Sequence, residues 1–176
     1  MTEKSVKTKK SEAQLLIQDI LDLIIKIAVI TTFAVILFSF MFGIYRNKSP
    51  FMDPSILDGD LVVYYRLDKD YDHYDLLVLD YEGKKETYRV VAAKGDEVDI
   101  HDGGLYVNGA LQSEQRIFRP TDRYVDGVSF PLTVGDNEVF ILGDNRTNST
   151  DSRIFGPVSI SDTKGQVMAV IRRRGF

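Results

Sequence analysis

A run of 18 residues without a charge, Ile27–Ile44 (IAVITTFAVILFSFMFGI), is the strongest constraint on how this chain folds. As a helix, at about 1.5 Å per residue, it is about 27 Å long, close to the roughly 30 Å hydrocarbon core of a bilayer. Apolar residues run all round such a helix and leave no polar stripe, unlike the amphipathic helix of a globular core. Extending it back to Ile20 brings in Asp22 and Lys26, four residues apart. They share one helical face, can pair near the headgroups, and Lys26 can snorkel. A cleaved signal peptide has a shorter apolar core and an A-x-A-like site; Asn47-Lys48-Ser49-Pro50 is not one. The expectation is an uncleaved single-pass anchor over 20–45, with a cytoplasmic tail over 1–19 and a domain over 46–176.

Charge sets the expected orientation. Lys7, Lys9, Lys10 and Lys26 lie within 20 residues before the uncharged run, and only Arg46 and Lys48 within 20 after it. Basic residues favour the cytoplasmic side, so the N-terminus is expected inside and the following domain extracytoplasmic, at the cell membrane. Residues 1–48 carry seven basic and four acidic residues, against 15 and 22 in the remainder. An acidic domain argues against a nucleic-acid partner. With no cysteine and only His73 and His101, neither a disulfide framework nor a thiolate or histidine-rich metal site is expected, and no cofactor is implied.

After Pro50 the pattern changes to short β-type runs punctuated by Gly and Asp: Asp60–Arg66, Asp75–Tyr81, Glu86–Ala92, Glu97–His101, Gly104–Val107, Glu138–Leu142 and Gln166–Arg172. Their spacing predicts a mainly β domain, sandwich or barrel. Glu82-Gly83-Lys84 reads as a hairpin turn, and Asn108-Gly109 carries the signal of a type I′ turn. Residues 112–134, with Pro120 and Pro131, read as a loop-rich insertion, and 145–153 as a polar loop.

Three stretches resemble the boxes of the type I signal peptidases, membrane-anchored serine proteases that remove signal peptides from secreted proteins. Met52-Asp53-Pro54-Ser55-Ile56-Leu57-Asp58-Gly59-Asp60 resembles S-M-x-P-T-L-x-x-G-D without its first letter. Tyr88-Arg89-Val90-Val91-Ala92-Ala93-Lys94-Gly95-Asp96-Glu97-Val98 resembles K-R-V-x-G-x-P-G-D-x-V. The segment from Gly143 to Gly156 (GDNRTNSTDSRIFG) resembles G-D-N-R-x-x-S-x-D-S-R-x-F-G almost letter for letter. The resemblance implies the signal-peptidase β-fold on one N-terminal transmembrane helix.

It also implies a loss. The family's nucleophilic serine and general-base lysine are the first letters of the first two boxes; Phe51 and Tyr88 stand there. The chemistry needs a hydroxyl activated by a neutral amine. A phenyl ring has no nucleophilic atom, and a phenol with a reference pKa near 10 on a rigid ring does not mimic the lysine. Ser49, two residues before Phe51, matches a serine that helps bind the oxyanion in some members and is displaced for a nucleophile's task. Ser55, at the family's threonine, is expected to bond within its own turn. Lys94 reads as a solvated loop charge. Asp144, Asn145, Arg146, Ser149, Asp151 and Arg153 form the structural box, with Asp151 and Arg153 as an ion pair, and Ser149 without the lysine it would organise.

Signal-peptidase-like proteins lacking both dyad residues are encoded with surface pilins and sortases in Gram-positive bacteria, where they act as chaperone-like factors in pilus polymerisation. The resemblance thus implies pilin subunits or other secreted polypeptides as partners, together with the membrane and a sortase. The alternatives are an active signal peptidase using unusual residues and a scaffold that recruits another membrane enzyme. Phe51, Met52 and Tyr88 are the candidate binding cleft, for an extended peptide taken up by strand addition. The competing expectation is that Phe51 only fills the vacated pocket.

Overall fold

The computed structural model describes residues 12–115 and 117–172. The chain divides into two compact units, residues 1–40 and 41–176. The first eleven residues of the expected tail, with Lys7, Lys9 and Lys10, lie outside the described residues.

The first unit is built on helix α1, Glu12–Met41. Its span Gln14–Met41 is long and apolar enough to cross a membrane. Leu, Ile, Val and Phe side chains from Leu15 to Phe40 are exposed around it, which suits lipid as solvent.

The helix stops at Met41, four residues before the expected end of the anchor. Phe42–Arg46 is strand β1 instead. The sequence conceals this boundary because a membrane helix and a half-buried strand are both apolar. Gly43 explains the change: a Cβ there would lie 2.1 Å from the Tyr64 ring, so only glycine lets β1 approach it.

The second unit continues with β2 (Leu61–Tyr65), β3 (Leu76–Tyr81), β4 (Lys84–Ala93), β5 (Glu97–His101), β6 (Gly104–Val107), β7 (Ala110–Leu111), β8 (Leu132–Thr133), β9 (Glu138–Leu142), a short helix α2 (Ser152–Phe155), β10 (Val158–Ser159) and β11 (Thr163–Ile171). One sheet runs β1-β2-β11-β3-β4-β9-β10 and a second runs β7-β6-β5-β8. Every strand pairing is antiparallel. The mainly β expectation holds, and the seven runs named from sequence all contain strands. β7, β8 and β10, two residues each, are too short to leave a pattern. β8 falls inside the 112–134 segment, and α2 begins inside the 145–153 loop. Both hairpin readings match: Glu82-Gly83 and Asn108-Gly109 have φ of 52° and 77°, and 52° and 75°, the doubly positive pattern of a type I′ turn.

Strand alternation divides the core. Leu77 and Leu79 pack with Tyr88, Val90, Val139 and Ile141 on one face of the large sheet. Val78, between them, joins Met52, Ile56, Val62 and Tyr64 on the other. Val91, Ala92, Phe140 and Leu142 pack with Val98, Ile100, Leu105 and Val107 of the small sheet.

β4 is the strand that matters for the site. It pairs with β3 from Lys84 to Arg89, but with β9 only over Arg89–Ala93. Its first half therefore has a strand on one side only, among the described residues. Val90 bonds toward β3, donating its N–H to the Asp75 carbonyl and accepting at its C=O from Tyr74 N. Backbone direction alternates along a strand, so Lys85 and Thr87 turn their N–H and C=O groups away from β3; Lys85 is exposed there, whereas Thr87 is fully buried.

Candidate functional site

The three boxes converge where β4 outruns β9. Phe51 follows Pro50 at the start of a turn-rich segment, 51–56, fixed by bonds from Asp53 N to Pro50 O (3.1 Å) and from Ile56 N to Met52 O (2.9 Å). The third box holds this segment from outside. Asn145 gives its backbone N–H to the Phe51 carbonyl at 2.9 Å and its side-chain amide to the Pro50 carbonyl at 3.1 Å. Gly143 sits below: a Cβ there would lie 2.6 Å from the Phe51 carbonyl oxygen and 2.2 Å from Ser149 Oγ.

The structure brings Phe51 and Tyr88 together. Their rings lie 6.2 Å apart, tilted by 33°. Tyr88 also meets Phe155 edge-on at 6.4 Å, and Phe155 stacks obliquely on Tyr81 at 5.2 Å. Phe51 is half-buried, while Tyr88 is fully buried. Met52 is buried too, but in the cluster on the other face of the sheet. Of the three residues expected to line a cleft, only Phe51 keeps surface. Tyr88 lies beneath it as a floor, and Met52 is a core residue.

The Tyr88 hydroxyl is buried and has no hydrogen-bond partner among the described residues, and the same holds for Ser149 Oγ. Burial pushes the Tyr88 phenol well above its ordinary range, and the carboxylates of Glu86 and Asp151 push it further. It stays protonated at neutral pH and takes no proton from a neighbour. Ser49, the displaced serine, donates its hydroxyl to Glu86 Oε2. Tyr45 of β1 bonds Thr87 Oγ1. Two side-chain bridges thus span from the 45–49 segment to the open half of β4. Lys94 pairs with Asp136 at 2.9 Å in solvent.

Around this centre the charged residues of the boxes form buried links. Arg89 grips Asp144 with two of its three nitrogens, Nε to Oδ1 at 2.7 Å and Nη2 to Oδ2 at 2.6 Å. Ser55 donates to the same Oδ2. That corrects the expectation for Ser55: its hydroxyl leaves its own turn to give the buried carboxylate a third donor, beside the two from Arg89. One residue from each box meets here, so this pair ties the boxes together. Asp151 and Arg153 form the expected ion pair, bidentate at 2.9 and 2.8 Å, while Asp151 also accepts from Gly143 N at 3.1 Å and caps α2 through Arg153 N. Arg146 is buried and pairs with Glu114; it also bonds Thr121 and the Gly143 carbonyl. The 112–134 segment is thereby pinned to the site by Glu114 and Thr121, residues that no motif marked. His73 is partly exposed and bonds Asp96 at 2.8 Å. Burial raises the Asp96 carboxyl, but bonds from Ala93 N, Asn108 and His73 outweigh it and hold the group below its ordinary range. No group of three or more metal-ligating side chains occurs among the described residues.

Comparison with known proteins places this arrangement. The family described as "Signal peptidase, peptidase S26" matches residues 20–172. A signal peptidase I of Bacillus caldolyticus is 32% identical over 143 residues, covering 73% of this chain and 78% of that protein. Probable thylakoidal processing peptidase 2 of Arabidopsis thaliana is 40% identical over 78 residues, 44% of this chain; the match spans only 20% of that longer protein. Among solved structures, a signal peptidase I from Enterococcus faecalis V583 is 26% identical, with a TM-score of 0.47, covering 56% of this chain and 97% of that one. The chain is a member of the signal peptidase family, with the mainly β fold of signal peptidase I behind an N-terminal helix that fits a single-pass membrane anchor.

Proposed function

We propose that this signal peptidase homologue does not cleave its clients but holds them: a membrane-anchored, chaperone-like factor that binds an extended segment of a secreted polypeptide, with pilin subunits as the client class. The observation that carries the reading is the Phe51–Tyr88 pair, a phenyl ring packed against a buried, protonated phenol. Neither group attacks a carbonyl or accepts a proton at neutral pH, and loss of one member of a catalytic pair costs several powers of ten in rate. What supports binding is the open half of β4. Lys85, exposed at that edge, turns its backbone donor and acceptor away from β3 toward a chain lying alongside, the requirement for strand addition, while Thr87 beyond it is buried. The half-buried Phe51 ring at its end suits an anchor for an apolar side chain. The domain is extracytoplasmic in this reading, with the N-terminus inside, as the basic residues before the span direct. A sortase, acting on the same clients, is the expected neighbour.

The test is client capture by the full chain in detergent micelles or nanodiscs. Phe51→Ala leaves the domain folded and weakens binding of a pilin-derived extended peptide about thirtyfold, the loss of about 2 kcal/mol typical of a buried interface aromatic. Unchanged binding by a folded mutant rejects the cleft.

One observation favours a second reading. The Ser49 hydroxyl donates to the buried Glu86 carboxylate, a serine beside a base. A carboxylate with a reference pKa near 4.3 is a weaker base than the family's neutral amine. Proteolysis abolished by both Ser49→Ala and Glu86→Gln is the result that selects this reading.

A further inference from the structure

The groove between β1 and the open half of β4 ends in a cavity of about 250 Å³ lined by Tyr45, Arg46, Lys48, Lys84, Lys85 and Glu86. Four of these six side chains are cations. All four are exposed, and none takes part in an ion pair among the described residues. The one acid, Glu86, is buried and already receives the Ser49 hydroxyl. Asp80 stands opposite Lys85 in the β3–β4 register, but its carboxylate lies 3.9 Å from Lys164.

This concentration of positive charge runs against the rest of the unit. From residue 49 onward the chain has 22 acidic and 15 basic residues. The buried and half-buried arginines elsewhere in the unit are matched: Arg89 with Asp144, Arg146 with Glu114 and Arg153 with Asp151. Four unmatched cations around a concave wall repel one another and focus a positive potential into it. A ligand with carboxylates relieves both.

We propose that the groove is selective for acidic client segments, with Arg46, Lys48, Lys84 and Lys85 as the wall that receives Asp or Glu side chains. The inference rests on the reading of β4 as a peptide-binding edge and names the chemistry of the peptide. A chain paired beside the exposed Lys85 passes between the two pairs of cations, Lys84 and Lys85 on β4 and Arg46 and Lys48 on the opposite segment. Side chains of such a strand alternate between two faces. Acidic residues spaced two apart, beyond an apolar residue seated on Phe51, fit this wall.

The experiment uses the full chain in nanodiscs of zwitterionic phosphatidylcholine and three fluorescein-labelled peptides of twelve residues. They share a β-branched core with one Phe and differ only in three alternate positions: Glu, Gln or Lys. At 50 mM salt the Glu peptide binds at least tenfold tighter than the Gln peptide, and the Lys peptide binds weakest. The preference shrinks at 0.5 M salt, where screening acts within a few ångströms. The double variants Lys84→Glu/Lys85→Glu and Lys84→Gln/Lys85→Gln abolish the preference of the Glu peptide over the Gln peptide, while Phe51→Ala weakens all three peptides. Equal binding of Glu and Gln peptides overturns the acidic selectivity and leaves the edge-binding reading standing. No binding of any peptide overturns both. Vesicles of phosphatidylglycerol form the remaining arm: if the lysine variants lower the peripheral lipid contact of the domain but not the Glu-peptide preference, the wall belongs to lipid headgroups and the proposal fails.

Discussion

Replacing Tyr88 by Phe removes one oxygen from the centre of the site and should make the protein more stable. The ring contacts to Phe51 at 6.2 Å and Phe155 at 6.4 Å survive the change. What disappears is a fully buried hydroxyl with no hydrogen-bond partner among the described residues. Leaving such a group unsatisfied costs about 1–3 kcal/mol. Tyr88→Phe should raise stability by about that amount, or about 2–4 °C in Tm for each kcal/mol. Tyr71 supplies the control. It is buried as well, but its hydroxyl bonds Thr163 Oγ1 at 2.7 Å, so Tyr71→Phe should lower stability by about 0.5–1.5 kcal/mol. Urea unfolding of the full chain in detergent, followed by near-ultraviolet circular dichroism, reads both with opposite signs. A second readout comes from alkali. Burial raises the Tyr88 phenol and pushes Tyr71 up to about 12. The native state therefore keeps protons that the unfolded chain loses near pH 10. That stabilisation is complete below pH 10 and is lost as pH rises through the folded values. The fall should be shallower in Tyr88→Phe than in wild type. Destabilisation by Tyr88→Phe would refute the reasoning, because it would mean the phenol is hydrogen-bonded and available to a catalytic or ligand network.

Four further outcomes follow from other contacts. Asp144→Ala strands the half-buried guanidinium of Arg89 and should cost about 3 kcal/mol, the lower end for a buried pair, in the same urea assay. Gly143→Ala places a methyl group 2.6 Å from the Phe51 carbonyl oxygen; it should lose about 1–3 kcal/mol through overpacking, with the near-ultraviolet signal of the aromatic cluster altered. The depressed Asp96 carboxyl contributes stability that is full above its unfolded pKa near 4 and is lost as pH falls through its lower folded value; Asp96→Asn should flatten the acid limb of the stability curve below pH 4. Protease added to intact protoplasts should digest the β domain, since basic residues precede the span, and protection of the domain would reverse the orientation.

The sequence displayed the large features because each follows a strong local rule. The apolar run from Ile27 predicts a span, and period-two alternation with Gly-centred turns predicts most long strands. The end of the span at Met41 was hidden, since Phe42-Gly43-Ile44 is as apolar as the helix before it; the decisive fact is the distant Tyr64 ring, which admits no side chain at Gly43. The boxes identified the residues around the site but not their partners. Asp151 and Arg153 are two residues apart and paired as expected. Arg89 with Asp144 and Arg146 with Glu114 join residues 55 and 32 positions apart, a choice made by the folded chain alone. Phe51 and Tyr88 stand at the first letters of two boxes, yet their burial is not legible: the letters do not say that β4 carries Tyr88 inward and leaves Lys84 and Lys85 exposed.

The most direct measurement is a cleavage assay on purified full-length protein reconstituted in liposomes with a secretory precursor, sampled by mass spectrometry for hours beside an active signal peptidase I. With Phe51 and Tyr88 at the dyad positions, the account predicts an intact precursor at the background rate, and the same for Ser49→Ala. Precursor cut at its signal-peptide junction by the wild type and left whole by Ser49→Ala would contradict it, and would make Ser49 the nucleophile of a working peptidase.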